Sequence, residues 1–452
     1  MISNKTFLHN NKLAIISKYI FLGILAYMPI YVLFSNWVGA EFGVLELTKA
    51  IKEPIMLLGL VLILLVESKN LKSIFFKDKW LYTAILAYSV VVLLSALFFK
   101  NNIFAEILGI VYDLRFFLFF VYGILITNRF KNKIRNQAVK IVLFVGVCVA
   151  LLGIFQVLIL PNNALSSVGY STETGSQQVF YIHDDTKTTE RAFSTTKDPN
   201  ALGAYLGIIL ILLVAYLKVE KNKIQFLNYI AITSIIVCLY LTYSRSAWVG
   251  LICGLIFLIT FLIKNNNNFR RVIKNNTKII SAFIILGVII TSGFLFLQPS
   301  LYNDVILHNK FNNKVDSNTK RLDQYSEAAG VIKENLFFGQ GVGSAGPVSF
   351  KNIPNKPIIS ENYYLQVIEE YGLFGFFFFG YIVFYLVIKF YKQAKNDSYS
   401  LVMLTTFIVV LVANLFNHTW VIEAVAYTWW GLAGLFFNNQ VVKKNLKEKR
   451  QV

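Results

Sequence analysis

About a dozen apolar runs recur along this chain, most of them 17 to 25 residues long, the length an α-helix needs to cross the hydrocarbon core of a bilayer. They fall near 14–34, 54–67 with a less apolar lead-in, 79–98, 103–127, 137–160, 200–217, 224–243, 246–263, 278–297, 372–391, 400–416 and 421–438. The class this implies is an all-α polytopic membrane protein of about twelve transmembrane helices, a single integral membrane domain over 1–452. The residue balance agrees: 56% of the chain is hydrophobic and only 15% charged, with a mean hydropathy of +0.58. Its aromatic residues are mostly Phe and Tyr, which suit helices in lipid with interfacial anchors and do not suggest a nucleic-acid stacking surface.

The net charge of +19 is mostly topological. Alternate connections carry the basic residues, among them Lys69, Lys72, Lys77 and Lys79, then Arg129, Lys131, Lys133 and Arg135, then Lys389, Lys392 and Lys395, and finally the basic C-terminus. The short connections between them are nearly free of positive charge. Both termini are therefore expected in the cytoplasm. The basic N-terminus precedes an apolar run without a small-residue cleavage site, and reads as a first membrane helix. Cys148, Cys238 and Cys253 all fall inside apolar runs, so no disulfide or metal cluster is expected.

Two long connections remain, 161–199 and 298–371, and the same parity puts both on the outer face. Long loops that are not low-complexity usually carry function. In the second, Leu322, Tyr325, Ala329 and Ile332 line one side of an expected helix over 318–334. Gly339, Gly341, Gly343 and Gly346 then end it, and Pro347 prevents its resumption.

Several residues in these outer segments suit the recognition of an anionic substrate. Arg245 stands alone in the very short turn before the run at 246–263; it either snorkels to the headgroups or grips phosphate oxygens with its planar fork, and its isolation favours the grip. Arg321 opens the outer helix, and Arg191 and Lys197 lie in the other loop; each is a solvated charge alone, and together they could gather around one diphosphate. Glu361 is either a first-turn carboxylate favoured by the helix dipole or a general base, with Glu369 and Glu370 as alternatives further along. Asn362 suits a sugar hydroxyl or a cap. Gly341 and Gly343 are compatible with anion binding by backbone amides. Asp113 and Arg115 sit mid-span, where charges must pair or face a cavity, and two residues apart they do not share a helix face. His183, Asp184 and Asp185 form an exposed turn or a cation site, the turn being the simpler reading.

The compartment narrows the chemistry. Nucleotides are absent from the outer face, so an enzyme there receives its activated donor through the membrane, and a lipid-linked diphosphate is the natural form.

Four blocks in order, ERAFSTTKDPNALGAYL, SRSAWVGL, RLDQYSEAAGVIKENLFFGQGVGSAG and ENYYLQVIEEYGLFG, resemble the O-antigen ligase and O-antigen polymerase (Wzy-type) superfamily of bacterial membrane glycosyltransferases. They cover about residues 190 to 376; the first half of the chain matches in hydropathy alone. The resemblance implies a GT-C-like membrane fold in the cytoplasmic membrane with an outer-face site. There Arg245 and Arg321 would neutralise the diphosphate of an undecaprenyl-diphosphate-linked glycan, and an acceptor hydroxyl would attack with inversion, without metal or cofactor. Glu361 stands where the ligases carry a His that is proposed to activate the acceptor. That departure favours polymerisation onto a lipid-linked repeat over transfer to lipid A-core. A flippase and a chain-length regulator are the partners such an enzyme would work beside. The alternative from another class is a transporter of the same lipid-linked sugar, for which only Asp113 and Arg115 are suitably placed.

Overall fold

The computed structural model describes residues 2–171, 179–182, 190–219, 226–267, 270–271, 317–352 and 357–438. The expected span at 278–297, the first part of the loop at 298–371 and the group His183, Asp184 and Asp185 lie outside them. The described residues form helices and the turns between them, with two isolated bridges, Tyr181 to Glu190 and Ala345 to Ile358. In lipid no water completes a peptide group's hydrogen bonds, so an apolar run closes them within its own helix.

The protein is an all-α polytopic membrane protein. Five described helices are long and apolar enough to cross a bilayer: α6 (Lys79–Phe98), α7 (Ile103–Leu158), α8 (Pro199–Leu217 within Pro199–Val219), α10 (Arg245–Asn265) and α12 (Tyr363–Ala394). A sixth counts if α1 (Ile2–Tyr27) and α2 (Tyr31–Phe42), bent by 83°, make one broken span. The remaining elements are shorter: α3 (Leu45–Ala50), α4 (Lys52–Glu67), α5 (Leu71–Phe76), α9 (Phe226–Leu241), the surface helix α11 (Ser317–Glu334), α13 (Ser398–Ala413) and α14 (Glu423–Phe436). Helix α7 is broken at Lys131, whose φ of 52° is non-helical, which splits it into the two runs expected at 103–127 and 137–160.

Small residues let the central helices approach closely. A Cβ on Gly434 would lie 2.2 Å from the Phe120 carbonyl oxygen, so α14 packs backbone to backbone on the first leg of α7. Likewise a Cβ on Gly250 would meet the Val409 oxygen at 2.7 Å, and one on Gly254 the Thr405 oxygen at 3.2 Å. Numbers rise along α10 as they fall along α13, so the two run antiparallel. The start of α10 therefore lies level with Asn414, at the end of α13.

Three other helix starts reach that level. The Tyr363 amide at the head of α12 donates to the Asn414 carbonyl at 3.0 Å. Ser244, the N-cap of α10, donates through Oγ to Asn200 Oδ1 in the first turn of α8 at 2.8 Å. Helix α14 begins directly after the turn that leaves α13. The N-termini of α8, α10, α12 and α14 thus gather around residues 414–422, and each directs the positive end of its dipole there.

The Gly-rich turn after α11 is an internal splint. Helix α12 breaks at Gly372, whose φ is +62°. The carbonyls of Glu369 and Glu370 accept from the amides of Gln340 (2.8 Å) and Gly341 (2.9 Å), and the Leu373 amide donates to the Leu336 carbonyl (2.9 Å). Residues 336–341 thereby satisfy groups that the break would leave unpaired. A side chain at Gly372 is excluded twice over, by its φ and because a Cβ would lie 2.2 Å from the Phe337 backbone.

Candidate active site

Arg191 sits where the 190–199 segment passes the end of α9. Its Nε donates to the Thr242 carbonyl at 3.0 Å and its Nη2 to the Tyr243 carbonyl at 3.4 Å, with Asn200 Oδ1 at 3.5 Å. These carbonyls close a helix C-terminus, where a cation is favourable. Arg191 thus fastens the first sequence block to the second. Arg245, the first residue of α10, follows directly and is half-buried.

The third and fourth blocks meet in an ion pair. Arg321 Nε, in the first turns of α11, lies 2.9 Å from Glu361 Oε2, and the two side chains are 26% and 42% exposed. Glu361 has a φ of +47°, a region that side chains other than Gly rarely occupy. Asn362 next to it is the N-cap of α12, its Oδ1 accepting from the amides of Tyr364 (2.9 Å) and Leu365 (3.2 Å). The Tyr325 hydroxyl, one turn along α11 from Arg321, donates to the Leu415 carbonyl at 3.1 Å. That bond holds the surface helix over the 414–422 turn.

Other residues singled out by sequence are engaged inside the protein. The Gly343 amide donates to Glu370 Oε1 at 2.9 Å and the Gly341 amide to the Glu370 carbonyl at 2.9 Å. Both amides point inward, and the turn presents neither to a ligand. Asp113 accepts from the hydroxyls of Tyr371 and Tyr363. Arg115 turns the other way, as their spacing required. Its Nη1 lies 3.1 Å from Glu53 and 3.2 Å from Glu423, and its Nη2 donates to the Val421 carbonyl at 2.6 Å. Lys52 joins the same carboxylates at 3.3 and 3.7 Å.

Above this buried cluster opens a polar cavity of about 170 Å³, lined among others by Tyr31, Asn36, Lys49, Lys197, Asn417 and His418. Lys197 lines it, whereas Arg191, Arg245, Arg321 and Glu361 do not. His418 is 4% exposed, and its Nε2 has no hydrogen-bond partner among the described residues. Burial pushes its imidazole down to about 3, with Lys197 adding to the shift, so it is neutral at ordinary pH. Sequence reasoning singled out Lys197 and missed Lys49 and His418, because the three are far apart in the chain and a lone His in NHTWVIE carries no spacing signal.

A family model described as O-antigen ligase (Wzy_C) matches residues 229–380. The match runs from α9 into α12 and contains Arg245, Arg321, Glu361 and Asn362. The chain is also similar to a ComP-specific O-oligosaccharyltransferase of Acinetobacter baylyi, 24% identical over 411 residues, which cover 88% of this chain and 67% of that protein.

Proposed function

We propose that this chain, which resembles the O-antigen ligase and polymerase (Wzy-type) superfamily of membrane glycosyltransferases, polymerises a surface polysaccharide. It transfers a glycan from a polyprenyl diphosphate to a lipid-linked acceptor sugar, at the outer face of the cytoplasmic membrane. The observation that carries the reading is the Arg321 to Glu361 pair at the head of α12. A cation suited to phosphate and a carboxylate suited to a hydroxyl proton stand together, partly exposed, where four helix N-termini converge.

In this reading the donor's diphosphate draws Arg321 from Glu361 and is held by Arg321 and Arg245, a fork geometry that matches phosphate oxygens. Freed of its partner, Glu361 accepts the proton of the acceptor hydroxyl. The acceptor oxygen forms its bond to the anomeric carbon as the bond from that carbon to the phosphate oxygen breaks. The developing negative charge leaves with the polyprenyl diphosphate, stabilised by the two arginines and the helix ends. Attack from the side opposite the leaving group inverts the anomeric centre. Arg191 takes a supporting part, holding the turn that carries Arg245. Asn362 keeps Glu361 in register by capping α12, and its Nδ2 remains for a sugar hydroxyl.

A second reading, transfer to another acceptor such as lipid A-core or a protein, draws on the ligase description of the family model and the name of the Acinetobacter relative. The test is to supply the purified protein, in lipid, with a polyprenyl-diphosphate-linked repeat unit and no other acceptor. A glycan ladder is the expected result. No ladder, with transfer on addition of lipid A-core or an acceptor protein, overturns polymerisation in favour of the second reading.

A further inference from the structure

The cavity beside the 414–422 turn is lined by two lysines, Lys49 and Lys197, and two carboxylates, Asp198 and Glu423, both of which are already engaged. Lys49 meets Glu46 only at 3.9 Å and at the surface, and Lys197 has no ion pair among the described residues. The one carboxylate of the pair Glu53 and Glu423 that lines the cavity, Glu423, is already shared between Arg115 at 3.2 Å and Lys52 at 3.7 Å. Asp198 is held by the Ala201 amide, which donates to its Oδ1 at 2.8 Å. Burial, and the nearby charges of Lys351 and Lys197 against the opposing Glu46, leave the Lys49 ammonium with a lowered pKa. The buried His418 lines the same cavity, with Nε2 left without a hydrogen-bond partner among the described residues. A cavity of about 170 Å³ has space well beyond the ~30 Å³ share of one water.

We propose that this cavity is a second anion site, separate from the Arg321 and Arg245 site, and that it holds the phosphate groups of the acceptor lipid while the arginines hold those of the donor. The inference rests on the polymerase reading, because only there do two lipid-linked diphosphates occupy the enzyme at once. Lys49 and Lys197 supply the charge, and His418 and Asn417 supply polar atoms that a point charge alone would not require. None of the four lies in the donor arrangement. Glu423 joins the cavity to the buried cluster, through its ion pairs with Arg115 and Lys52.

The test counts sites. The full-length protein in nanodiscs of phosphatidylcholine, which has no net charge, is titrated with a polyprenyl diphosphate carrying no sugar. The expected result is two bound equivalents. The Lys49→Ala/Lys197→Ala variant retains one, and its KM for a lipid-linked acceptor rises about tenfold or more while donor affinity holds. The Arg321→Ala variant loses the other equivalent. Since Lys49 and Lys197 are only half-buried, both variants remain folded, with thermal unfolding as the control. Inorganic diphosphate should displace the lysine-dependent equivalent.

One equivalent in the wild type, unaffected by the lysine changes, removes the second site and leaves the function reading standing. One equivalent lost with the lysines and kept in Arg321→Ala overturns both, placing the donor in the cavity. Displacement by phosphatidylglycerol and not by inorganic diphosphate also overturns the proposal, since the cavity then serves the bilayer's own headgroups.

Discussion

Arg321 and Glu361, forty residues apart in the chain, share a hydrogen-bonded ion pair of 2.9 Å that joins the surface helix α11 to the head of α12. Each is the natural competitor for the other's substrate partner. A partly exposed pair of this kind contributes little to stability, so variants at either position test the proposed reaction with the fold intact. For Glu361→Gln the expected outcome is a fall in chain-extension rate of about 10² to 10⁴-fold with donor binding retained. For Arg321→Ala it is about 10² to 10³-fold, with donor binding weakened. The exchanged pair Arg321→Glu/Glu361→Arg restores the bridge and not the reaction. A glycan ladder of normal length from the exchanged protein would show that the bridge is purely structural.

Replacing Arg115 tests the buried charge cluster. Arg115→Leu leaves Glu53 and Glu423 facing each other with Lys52 alone, and should lower stability by about 3 to 5 kcal/mol, as expected when one partner of a buried pair is removed. Adding Glu53→Gln and Glu423→Gln should recover a large part of the loss. Denaturation in detergent reads both; an unchanged midpoint in Arg115→Leu would mean the cluster is not structural.

The break in α12 predicts a contrast between two glycines of one helix. Gly372→Ala places a Cβ 2.2 Å from the Phe337 backbone at a φ of +62°. The left-handed conformation alone costs about 1 to 2 kcal/mol, and the overlap adds to it. Gly380→Ala, with nothing within 4 Å of the new Cβ, should be neutral or stabilising by up to about 1 kcal/mol. Thermal unfolding of the two variants side by side decides; equal midpoints would contradict the splint.

His418, in the turn outside the spans, makes stability depend on pH. Unfolded, its imidazole takes up a proton as pH falls through about 6.5. Folded, it resists until about 3, because it is buried and near Lys197. The folded state therefore has its full stability above the unfolded value, and loses it as pH falls from about 6.5 toward 3, by at most about 1.4 kcal/mol per unit. The difference between wild type and His418→Gln, followed by thermal unfolding between neutral and acidic pH, isolates this residue. Parallel curves would show that the imidazole is already protonated or in contact with water.

Much of the architecture was legible in the sequence. The apolar runs marked the membrane helices, and the pattern from Leu322 to Ile332 marked α11, found at Ser317–Glu334. The four glycines Gly339, Gly341, Gly343 and Gly346 all have positive φ, as a tight turn requires. The count of spans was less legible, because α9 and α13, at 16 residues each, are shorter than a full crossing in regular helix. What the turn's amides do was not legible either. Glycine spacing reveals an exposed backbone, and only the fold reveals that Glu370 and the broken α12 accept from it. The same holds for Arg115: a mid-span charge demands a partner, yet Glu423 lies 308 residues further along the chain. Of the lysine cavity only Lys197 was marked in the sequence; Lys49 comes from the half of the chain that matched only in hydropathy and His418 from a turn near the end.

Asn414 has a consequence that reaches beyond the fold. This one fully buried side chain accepts the Trp420 amide at 3.3 Å and donates to the Val410 carbonyl at 3.0 Å, while its own carbonyl takes the Tyr363 amide at 3.0 Å. Two residues before Tyr363 stands Glu361, and two before Trp420 stands His418. A single amide thus ties the segment that carries Glu361 to the turn that carries His418, and replacing it would loosen both at once.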